Sequence, residues 1–200
     1  RGVILSLLIQ TPDSVERIKQ GGVVGYIILV MGVLGFIYAV FRLIQLSLTG
    51  KKMTQQMQQE KANDDNPLGR VLLAAQQNDK AITENGNLEL LLDEAITREA
   101  PVLEQGLSMI KLLAAVAPLL GLLGTVTGMI ATFQAISLFG TGDPKLMANG
   151  ISQALVTTML GLCVAIPLLF LHSIVAARSR TLIQILDEQS AGLLSRRLEK

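Results

Sequence analysis

Two long apolar stretches of this chain carry hydroxyl and glycine residues at helical spacing, and these are the side chains placed to do chemistry. The first set occupies one face of a helix between Leu112 and Phe139: Ala114, Gly121, Thr125, Gly128 and Thr132. The second set repeats every three or four residues further on: Ala154, Thr158, Gly161 and Ala165. Matching small-and-hydroxyl faces predict two helices that pack closely around a narrow, weakly polar path.

The same pattern has a simpler interpretation, in which the faces serve only for helix packing. Gly124 and Gly128 form a small-x-x-x-small pair of the kind that lets two membrane helices approach closely. Gly121 and Gly161 suit the same purpose. Periodicity alone leaves packing and conduction both open.

Neither stretch contains Asp, Glu, Lys or Arg. A proton relay inside a membrane normally needs such a group, which is costly to bury and rarely present without a role. If protons move along these helices, the titrating carboxylate must come from another chain. Thr125, Thr158 and Gln153 are then the candidates for lining or solvating the path.

Four further residues in these stretches each have two interpretations. His172 is either a hydrogen-bonded interfacial residue or a group that releases protons, since histidine titrates near neutrality. Pro118 and Pro167 each remove a backbone donor and produce either a fixed bend or a hinge. Cys163 lies in an apolar run, which favours a small buried hydrophobic residue over a reactive thiol.

The apolar stretches are long enough to cross a bilayer, whose core needs about 20 helical residues. A third such run, Gln20 to Phe41, precedes them. The fold class predicted is all-α, a three-span helical membrane protein with long helices extending into the cytoplasm. The predicted order is a periplasmic amphipathic segment (1–20), transmembrane helix 1 (21–44), a cytoplasmic helical domain (45–111), transmembrane helix 2 (112–138), a periplasmic turn (139–150), transmembrane helix 3 (151–177) and a cytoplasmic C-terminal helix (178–200).

Composition excludes several other classes of protein. Half of the 200 residues are hydrophobic, 16% are charged and the net charge is +1, which favours a membrane protein and argues against nucleic-acid binding. No nucleotide loop, metal-ligand cluster or nucleophile–base pair is apparent, so we expect no enzyme activity, no cofactor and no metal. The chain begins at Arg1 without a signal peptide, and we expect a fragment, a processed form or part of a longer protein.

Lysine and arginine near the span ends predict the orientation. Seven lie on the side of the 43–111 connection and the carboxyl terminus, against three on the other side. By the positive-inside rule the amino terminus is periplasmic and the carboxyl terminus cytoplasmic. Within the connection, Asn85-Gly86 marks a turn, and Pro101 is expected to bend a helix that continues into the second span.

Two motifs resemble the signature of the MotA/TolQ/ExbB proton channel family, most closely its ExbB side. One is APLLGLLGTVTGMI, from Ala117 to Ile130. The other combines GISQALVTT, from Gly150 to Thr158, with GLCVAIP, from Gly161 to Pro167. With the three-span order and the large cytoplasmic insertion, the resemblance covers nearly the whole chain. The first motif is similar to long ExbB variants with an extra periplasmic amino-terminal region.

This resemblance implies a multi-pass bacterial inner-membrane subunit of a proton-driven motor. It implies a homo-oligomer, a pentamer in the family, around a dimeric ExbD-like partner whose single span supplies a proton-carrying aspartate. A TonB-like protein would then be energised for transport across the outer membrane. By position, Thr125 and Thr158 match the family's pore-lining threonines, and Pro118 matches its signature proline.

One position departs from the resemblance. ExbB proteins commonly carry glutamate in the third helix where this chain has Gln153. The resemblance then implies that proton uptake relies more strongly on the partner's aspartate. A TolQ-like role in outer-membrane maintenance is the nearest alternative, and a non-conducting membrane scaffold is the alternative of another class. A MotA-like role is disfavoured because four spans are expected there.

Overall fold

The computed structural model describes residues 19–59, 61–77, 88–140 and 144–198, and the described residues form helices without any strand. Five helices follow one another: α1 (Gly22–Met57), α2 (Pro67–Gln77), α3 (Leu88–Glu104), α4 (Leu107–Phe139) and α5 (Pro144–Leu198). Most of the predicted amino-terminal segment, the Asn85-Gly86 turn and residues 141–143 lie outside the described residues. The all-α class is confirmed.

Three regions of the described chain are long and apolar enough to cross a membrane. They lie in α1, in the segment that includes α4, and in α5, so the three spans predicted from the sequence are confirmed. Large side chains such as Leu34, Leu119 and Phe170 are more than half exposed in the single chain. Such exposure suits lipid or other subunits, because water would penalise an apolar surface of this kind.

The chain divides into two compact units, and the first comprises residues 1–37 and 109–170. Its described part contains the beginning of α1, nearly all of α4 and the first half of α5. The buried apolar side chains of this unit are mostly small along α4: Ile28, Ile110, Ala114, Ala117, Ala154, Leu160, Ala165 and Leu168. Small residues allow the helix backbones to come close together.

The second unit comprises residues 38–108 and 171–200. Its core is made of larger side chains from four helices: Met53, Leu68, Val71, Leu92, Leu103, Val175, Leu182 and Leu186. Here α2 packs against α3. This core joins helices that are distant in the sequence through buried apolar side chains.

A capping residue fixes the start of α2. Asn66 is buried, and its Oδ1 accepts a hydrogen bond from the backbone N–H of Gly69 at 2.8 Å. Pro67 occupies the first helical position, where a missing N–H has no cost. The segment from Asn63 to Pro67 therefore contains the N-cap of α2. Gln56 fixes this loop to the end of α1, because its Oε1 accepts from the Asn63 backbone N–H at 3.0 Å.

The ion pairs among the described residues of the second unit lie at or near its surface. Arg70 of α2 donates twice to Glu99 of α3, at 2.7 and 2.6 Å, and this carboxylate raises the pKa of the guanidinium above its ordinary value. Asp65 accepts from the Asn66 amide at 3.0 Å, and mainly this hydrogen bond lowers the pKa of the Asp65 carboxyl. The nearby Lys52 ammonium, 3.5 Å away, acts in the same direction.

The helix that contains Pro101 differs from the sequence-based expectation. Pro101 does lie inside α3, but the helix ends at Glu104 and a new one begins at Leu107. Gly106 between them has a φ of +84°, a left-handed conformation that glycine adopts without strain. The expectation of one helix running into the second span was wrong at this point.

The bounds of the other helices differ modestly from those expected. α1 runs to Met57, well past the predicted end of the first span, because the polar residues that follow are good helix formers. α5 begins at Pro144, earlier than the predicted start of the third span, and continues without a break to Leu198. Pro144 is suited to a first helical position for the same reason as Pro67.

Candidate functional site

α4 and α5 meet along a line of glycines within the first unit. A Cβ built on Gly121 would lie 3.0 Å from the Thr157 carbonyl oxygen, and one built on Gly161 would lie 2.7 Å from that of Ala117. At Gly128 the nearest atom would be the Gly150 carbonyl oxygen, at 2.6 Å. Any larger side chain would collide with the backbone of the other helix. We call this contact, made by Gly121, Gly124, Gly128, Gly150 and Gly161, the glycine seam.

Two threonine hydroxyls are buried in the glycine seam. Thr157 is 0% exposed, and a Cβ on Gly124 would overlap its side chain. Its Oγ1 donates within its own helix, where the carbonyls of Gln153 and Ala154 lie 2.9 and 3.0 Å away. Thr132 is 3% exposed, lies against Gly150 and donates to the Gly128 carbonyl at 3.0 Å. Both hydroxyls are satisfied locally, so they act as seam-filling groups of suitable size.

Thr125 and Thr158 lie beside the glycine seam and are half-buried. Thr125 Oγ1 donates to the Leu122 carbonyl at 2.6 Å, and Thr158 Oγ1 donates to the Ala154 carbonyl at 3.2 Å. The backbone atoms of Thr158 also flank the seam, since its Cα would lie 3.2 Å from a Cβ on Gly121. A hydroxyl that donates to its own helix can still accept a hydrogen bond from water.

α1 covers one side of the helix pair. A Cβ on Gly32 would lie 2.6 Å from Val164 of α5, and one on Gly35 would lie 3.1 Å from Leu113 of α4 and 3.2 Å from Leu168 of α5. These positions define the α1 side of both helices. The first unit is therefore a three-helix packing in which α1 lies across one flank of the glycine seam.

Helix geometry places Thr125 and Thr158 on the other flank. At about 3.6 residues per turn, Thr125 lies roughly a third of a turn around α4 from Leu113. Thr158 lies at least as far around α5 from Val164. Both threonines thus lie next to the seam on the side away from α1. We call this surface of α4 and α5 the hydroxyl edge, defined by Thr125 and Thr158.

Gln153 lies on the α1 side of α5. Its amide nitrogen would be 3.0 Å from a Cβ on Gly22, at the beginning of α1. The neighbouring Ser152 donates to the Gln20 side chain at 2.8 Å. The structure therefore brings Thr125 and Thr158 to one edge, and it places Gln153 near the start of α1 within the same chain.

The electrostatic character of the hydroxyl edge follows from its composition. The stretches 112–139 and 146–177 contain no Asp, Glu, Lys or Arg. Among the described residues, no group of three or more His, Cys, Asp or Glu could hold a metal ion. The edge can therefore hydrogen-bond water or a guest group, but its own side chains cannot relay a proton by titration at ordinary pH.

The remaining residues singled out from the sequence lie at scattered positions. Pro118 and Pro167 both lie inside continuous helices, in α4 and α5. His172 of the second unit is half-buried in α5. Cys163 is exposed on α5 in the single chain, so the expectation of a buried residue was wrong there.

Thr157 contributes to the site in a way that sequence reasoning missed, whereas Thr132 was already on the predicted face of the second span. The sequence stripe on the third span ran through Ala154, Thr158 and Gly161. The buried positions are instead Gly150, Ala154, Thr157 and Gly161. Both stripes step by four or three residues, so periodicity alone could not choose between adjacent threonines. The signal that distinguishes them is Gly124, whose missing side chain makes room for Thr157.

Comparison with known proteins agrees with this architecture. Residues 63–188 match the family model described as the MotA/TolQ/ExbB proton channel family. This match covers more than half of the chain and includes both helices that form the glycine seam, with all of α4 and most of α5. The chain belongs to the MotA/TolQ/ExbB proton channel family.

Several curated relatives are similar to this member of the family. A putative biopolymer transport protein ExbB homolog from Methanothermobacter thermautotrophicus is 31% identical over 82% of this chain and 63% of the relative. Putative biopolymer transport protein ExbB-like 1 from Synechocystis is 30% identical over 80% of this chain and 69% of the relative. Tol-Pal system protein TolQ from Pseudomonas aeruginosa is 35% identical over 44% of this chain and 38% of that protein.

These relatives are ExbB-like more often than TolQ-like, which supports the ExbB side of the family. The chain spans 63% of the length of the Methanothermobacter protein and of a second Synechocystis relative, ExbB-like 3. Family membership and the three apolar helices together identify a multi-pass membrane protein.

Proposed function

We propose that this chain is the channel-forming stator subunit of a proton-driven motor in the bacterial inner membrane. The family match and the ExbB-like and TolQ-like relatives support this proposal. The observation that carries it is the hydroxyl edge, where Thr125 and Thr158 lie together beside a seam that has no ionisable side chain. The function is transport rather than enzymatic catalysis.

The hydroxyl edge supplies the subunit's part of a proton path. Several copies, five by analogy with the family, form a ring in which this edge faces the centre and α1 faces lipid. The close approach at Gly121 and Gly161 leaves little space between α4 and α5 of one subunit, so the path runs along the edge and not through the seam. Side chains that face lipid are normally apolar. A half-buried hydroxyl is therefore better placed towards water or another polar group at the centre of the ring.

The proton itself is carried by a partner. An ExbD-like dimer with single spans supplies an aspartate to the centre of the ring, because this chain has no carboxylate in its second or third span. The hydroxyls of Thr125 and Thr158 accept hydrogen bonds from water or from the protonated carboxyl. This lowers the cost of bringing the carboxyl group into the membrane. Proton passage then moves the partner relative to the ring.

The motor energises TonB-dependent transport across the outer membrane through a TonB-like protein. In this arrangement the amino terminus is periplasmic and the carboxyl terminus cytoplasmic, as the distribution of lysine and arginine predicts. A TolQ-like role in outer-membrane maintenance is the second candidate, because a TolQ protein is 35% identical over the 89 residues it matches. A passive scaffold that assembles partners without ion flow is the candidate of another class.

The decisive experiment removes one hydroxyl at a time. Thr125→Val and Thr158→Val keep the side-chain volume but lose the acceptor. The complex of this chain with its ExbD-like partner is reconstituted into liposomes, and proton flux is followed with an internal pH dye. We expect each valine variant to reduce the flux by about tenfold or more, as when a site loses one well-placed polar group. Thr125→Ser and Thr158→Ser should retain most of it.

Thr127→Val is the matched control. Thr127 is on α4, its Oγ1 donates to the Gly124 carbonyl at 3.0 Å, and it lies on the opposite side of the helix from Thr125. Its substitution should leave the flux within about twofold of wild type. Wild-type flux in both Thr125→Val and Thr158→Val, with the complex intact, would contradict the proposal and support the scaffold.

Substitution of Gln153 tests how much this chain contributes to proton transfer relative to its partner. Gln153→Leu removes the only amide at the position where ExbB proteins commonly carry glutamate. We expect it to reduce flux less than replacement of the partner's aspartate by asparagine, because glutamine does not titrate. If the two variants reduced proton flux equally, the claim that the partner's aspartate contributes more than Gln153 would be wrong.

A further inference from the structure

An acidic cavity lies between α3 and the distal part of α5, within the second unit. Its volume is about 280 Å³. Its apolar walls are formed mainly by Leu92 and Ile96 of α3 and Leu194 of α5. Three carboxylates surround these walls: Glu89, Asp93 and Asp187. We call it the acidic cavity.

Helical spacing makes the acidic cavity a short groove between two matched faces. On α3 the lining residues fall at positions 89, 92, 93 and 96, and on α5 they fall at 187, 190, 191 and 194. Both sets follow the i, i+3, i+4, i+7 pattern of one helix face. At about 1.5 Å per residue, such a face is roughly 10 Å long, the length of one extended arginine or lysine side chain and its flanking contacts.

The charge of the acidic cavity is not balanced within the described chain. Glu89, Asp93 and Asp187 make no ion pair among the described residues. A neighbouring cavity, between α2 and α3, is different. There Arg70 pairs with Glu99 and Arg98 pairs with Glu94, each at 2.6 Å, so its charges are matched.

Ser190 provides an independent observation at the same place. This residue is 6% exposed and lines the acidic cavity. Its Oγ is buried and has no hydrogen-bond partner within the described structure, and no other described side-chain atom shares that condition. A buried hydroxyl without a partner is destabilising, so such groups normally meet a ligand or water.

The chemistry of the lining points to an organic cation. No set of three or more His, Cys, Asp or Glu in the described residues could hold a metal ion, so the three carboxylates do not form a compact metal cage. An arginine side chain matches the cavity because its methylene stem packs on apolar walls while its planar head reaches several acceptors. Its N–H groups can donate to the carboxylates and, after rotation of the Ser190 side chain about χ1, to the hydroxyl oxygen that is closed off in the unoccupied cavity.

We propose that the acidic cavity is a docking site for a basic, helix-forming segment of another protein, which inserts an arginine side chain between α3 and α5. Charge complementarity selects the partner, since three exposed carboxylates that have no ion pair within the described ranges surround an apolar floor and disfavour acidic or neutral segments. The site lies wholly within the second unit. It therefore stands independently of the ion path proposed for the hydroxyl edge.

The test uses the full chain in lipid nanodiscs and a defined probe. The probe is a fluorescent, capped 14-residue helical peptide with arginines at positions i and i+4 among alanine and leucine. Its twin carries citrulline, which keeps the shape of arginine without the charge. Fluorescence anisotropy is measured at about 150 mM salt, where weak long-range attraction is largely screened. We expect saturable binding of the arginine peptide and at least about tenfold weaker binding of the citrulline twin.

Two triple variants with the same change of net charge locate the site. Glu89→Gln/Asp93→Asn/Asp187→Asn removes the charges of the acidic cavity and should weaken binding by about tenfold or more. Asp64→Asn/Glu104→Gln/Glu188→Gln neutralises three exposed carboxylates elsewhere in the same unit and should change binding by about twofold at most. Equal weakening by both variants, or equal binding of the two peptides, would overturn the proposal.

Ser190→Ala separates docking from a structural role. Removing an unpaired hydroxyl should leave the thermal stability of the chain unchanged or raised. It should nevertheless weaken binding of the arginine peptide by about threefold or more. Reduced stability with unchanged peptide affinity would overturn the assignment of Ser190 to the site. Spermidine is tested as a competitor, and if it binds more tightly than the peptide, the occupant is a small polycation and the proposal for a protein segment is wrong.

Discussion

Arg42 of α1 and Leu103 of α3 are joined by a hydrogen bond, in which the guanidinium donates to the Leu103 carbonyl at 3.3 Å. The same guanidinium donates to the carbonyls of Gln105, at 2.6 Å, and of Val102. Arg42 is only 6% exposed and has no ion pair among the described residues. Its charge is compensated by the carbonyl end of α3, where the helix dipole is negative. Ser179 adds a second donor to the Leu103 carbonyl, at 3.0 Å.

We predict that Arg42 stabilises the break between α3 and α4. Arg42→Met should lower the free energy of unfolding by roughly 2 to 3 kcal/mol, because it leaves buried carbonyls without donors. Arg42→Lys should recover only part of this loss, since an ammonium cannot reach three carbonyls as a planar guanidinium does. Thermal unfolding in detergent measures the stability, and hydrogen exchange of residues 103–110 reports the local effect.

Lys51→Met is the control for Arg42. Lys51 is an exposed cation on the same helix, and its loss should change stability by about 0.5 kcal/mol or less. If Arg42→Met were as mild as Lys51→Met, the hydrogen bonds at the end of α3 would not be stabilising the break.

Close packing at the glycine seam predicts a strong effect of one methyl group. Gly124→Ala places a Cβ inside the Thr157 side chain, where its distance to Cγ2 would be 2.7 Å. We expect a loss of about 1 to 3 kcal/mol from overpacking and a lower thermal midpoint. Gly192 of α5 has no atom within 4 Å of such a Cβ, so Gly192→Ala should instead raise stability by roughly 0.5 to 1 kcal/mol. Similar shifts of the two midpoints would contradict the close approach of α4 and α5.

The N-cap of α2 predicts a local effect in the second unit. Asn66→Ala removes the acceptor for the Gly69 N–H and should cost about 1 kcal/mol, with faster hydrogen exchange in the first turn of α2. Asn66→Asp keeps an acceptor at this position and should cost less. Asn63→Ala, at an exposed residue of the same loop, is the control. A neutral Asn66→Ala would show that Pro67 alone fixes the helix start.

The lowered pKa of Asp65 predicts a pH dependence of stability. Its carboxylate accepts from Asn66 and lies near Lys52, so the charged form is favoured in the folded state. This contribution is complete above the ordinary pKa of 3.8 and is lost as the pH falls below it through the folded-state value. Thermal unfolding between about pH 2.5 and 6 should show a steeper acid loss in wild type than in Asp65→Asn. Parallel curves would contradict the assignment.

The three spans and the all-α class could be predicted because charge-free runs are a property of the sequence itself. Gly106 was harder. Nothing in the apolar periodicity around it signals a break, and Pro101, the visible helix breaker, lies inside α3. The break exists because Gly106 adopts a left-handed conformation and because Arg42, distant in sequence, supplies donors to the freed carbonyls.

The chemical character of the candidate site was likewise written in the sequence. Threonines among glycines, with no carboxylate beside them, predict a polar but non-titrating helix surface, on which the proposed path rests. Only tertiary contact decided which threonine of α5 is buried, because Thr157 and Thr158 are neighbours and both fit a helical stripe. Gly124 accommodates Thr157 in the glycine seam and leaves Thr158 at its edge.

The sequence by itself determined which segments are apolar enough for the membrane and which side chains they contain, because both follow from local composition. Only the tertiary structure decided which face of each helix is buried, that Arg42 is a buried donor and that Gln153 lies beside α1. The physical reason is that these properties depend on neighbours distant in the chain. Helical periodicity fixes the spacing of a face, while close packing against another helix selects which of several similar faces is used.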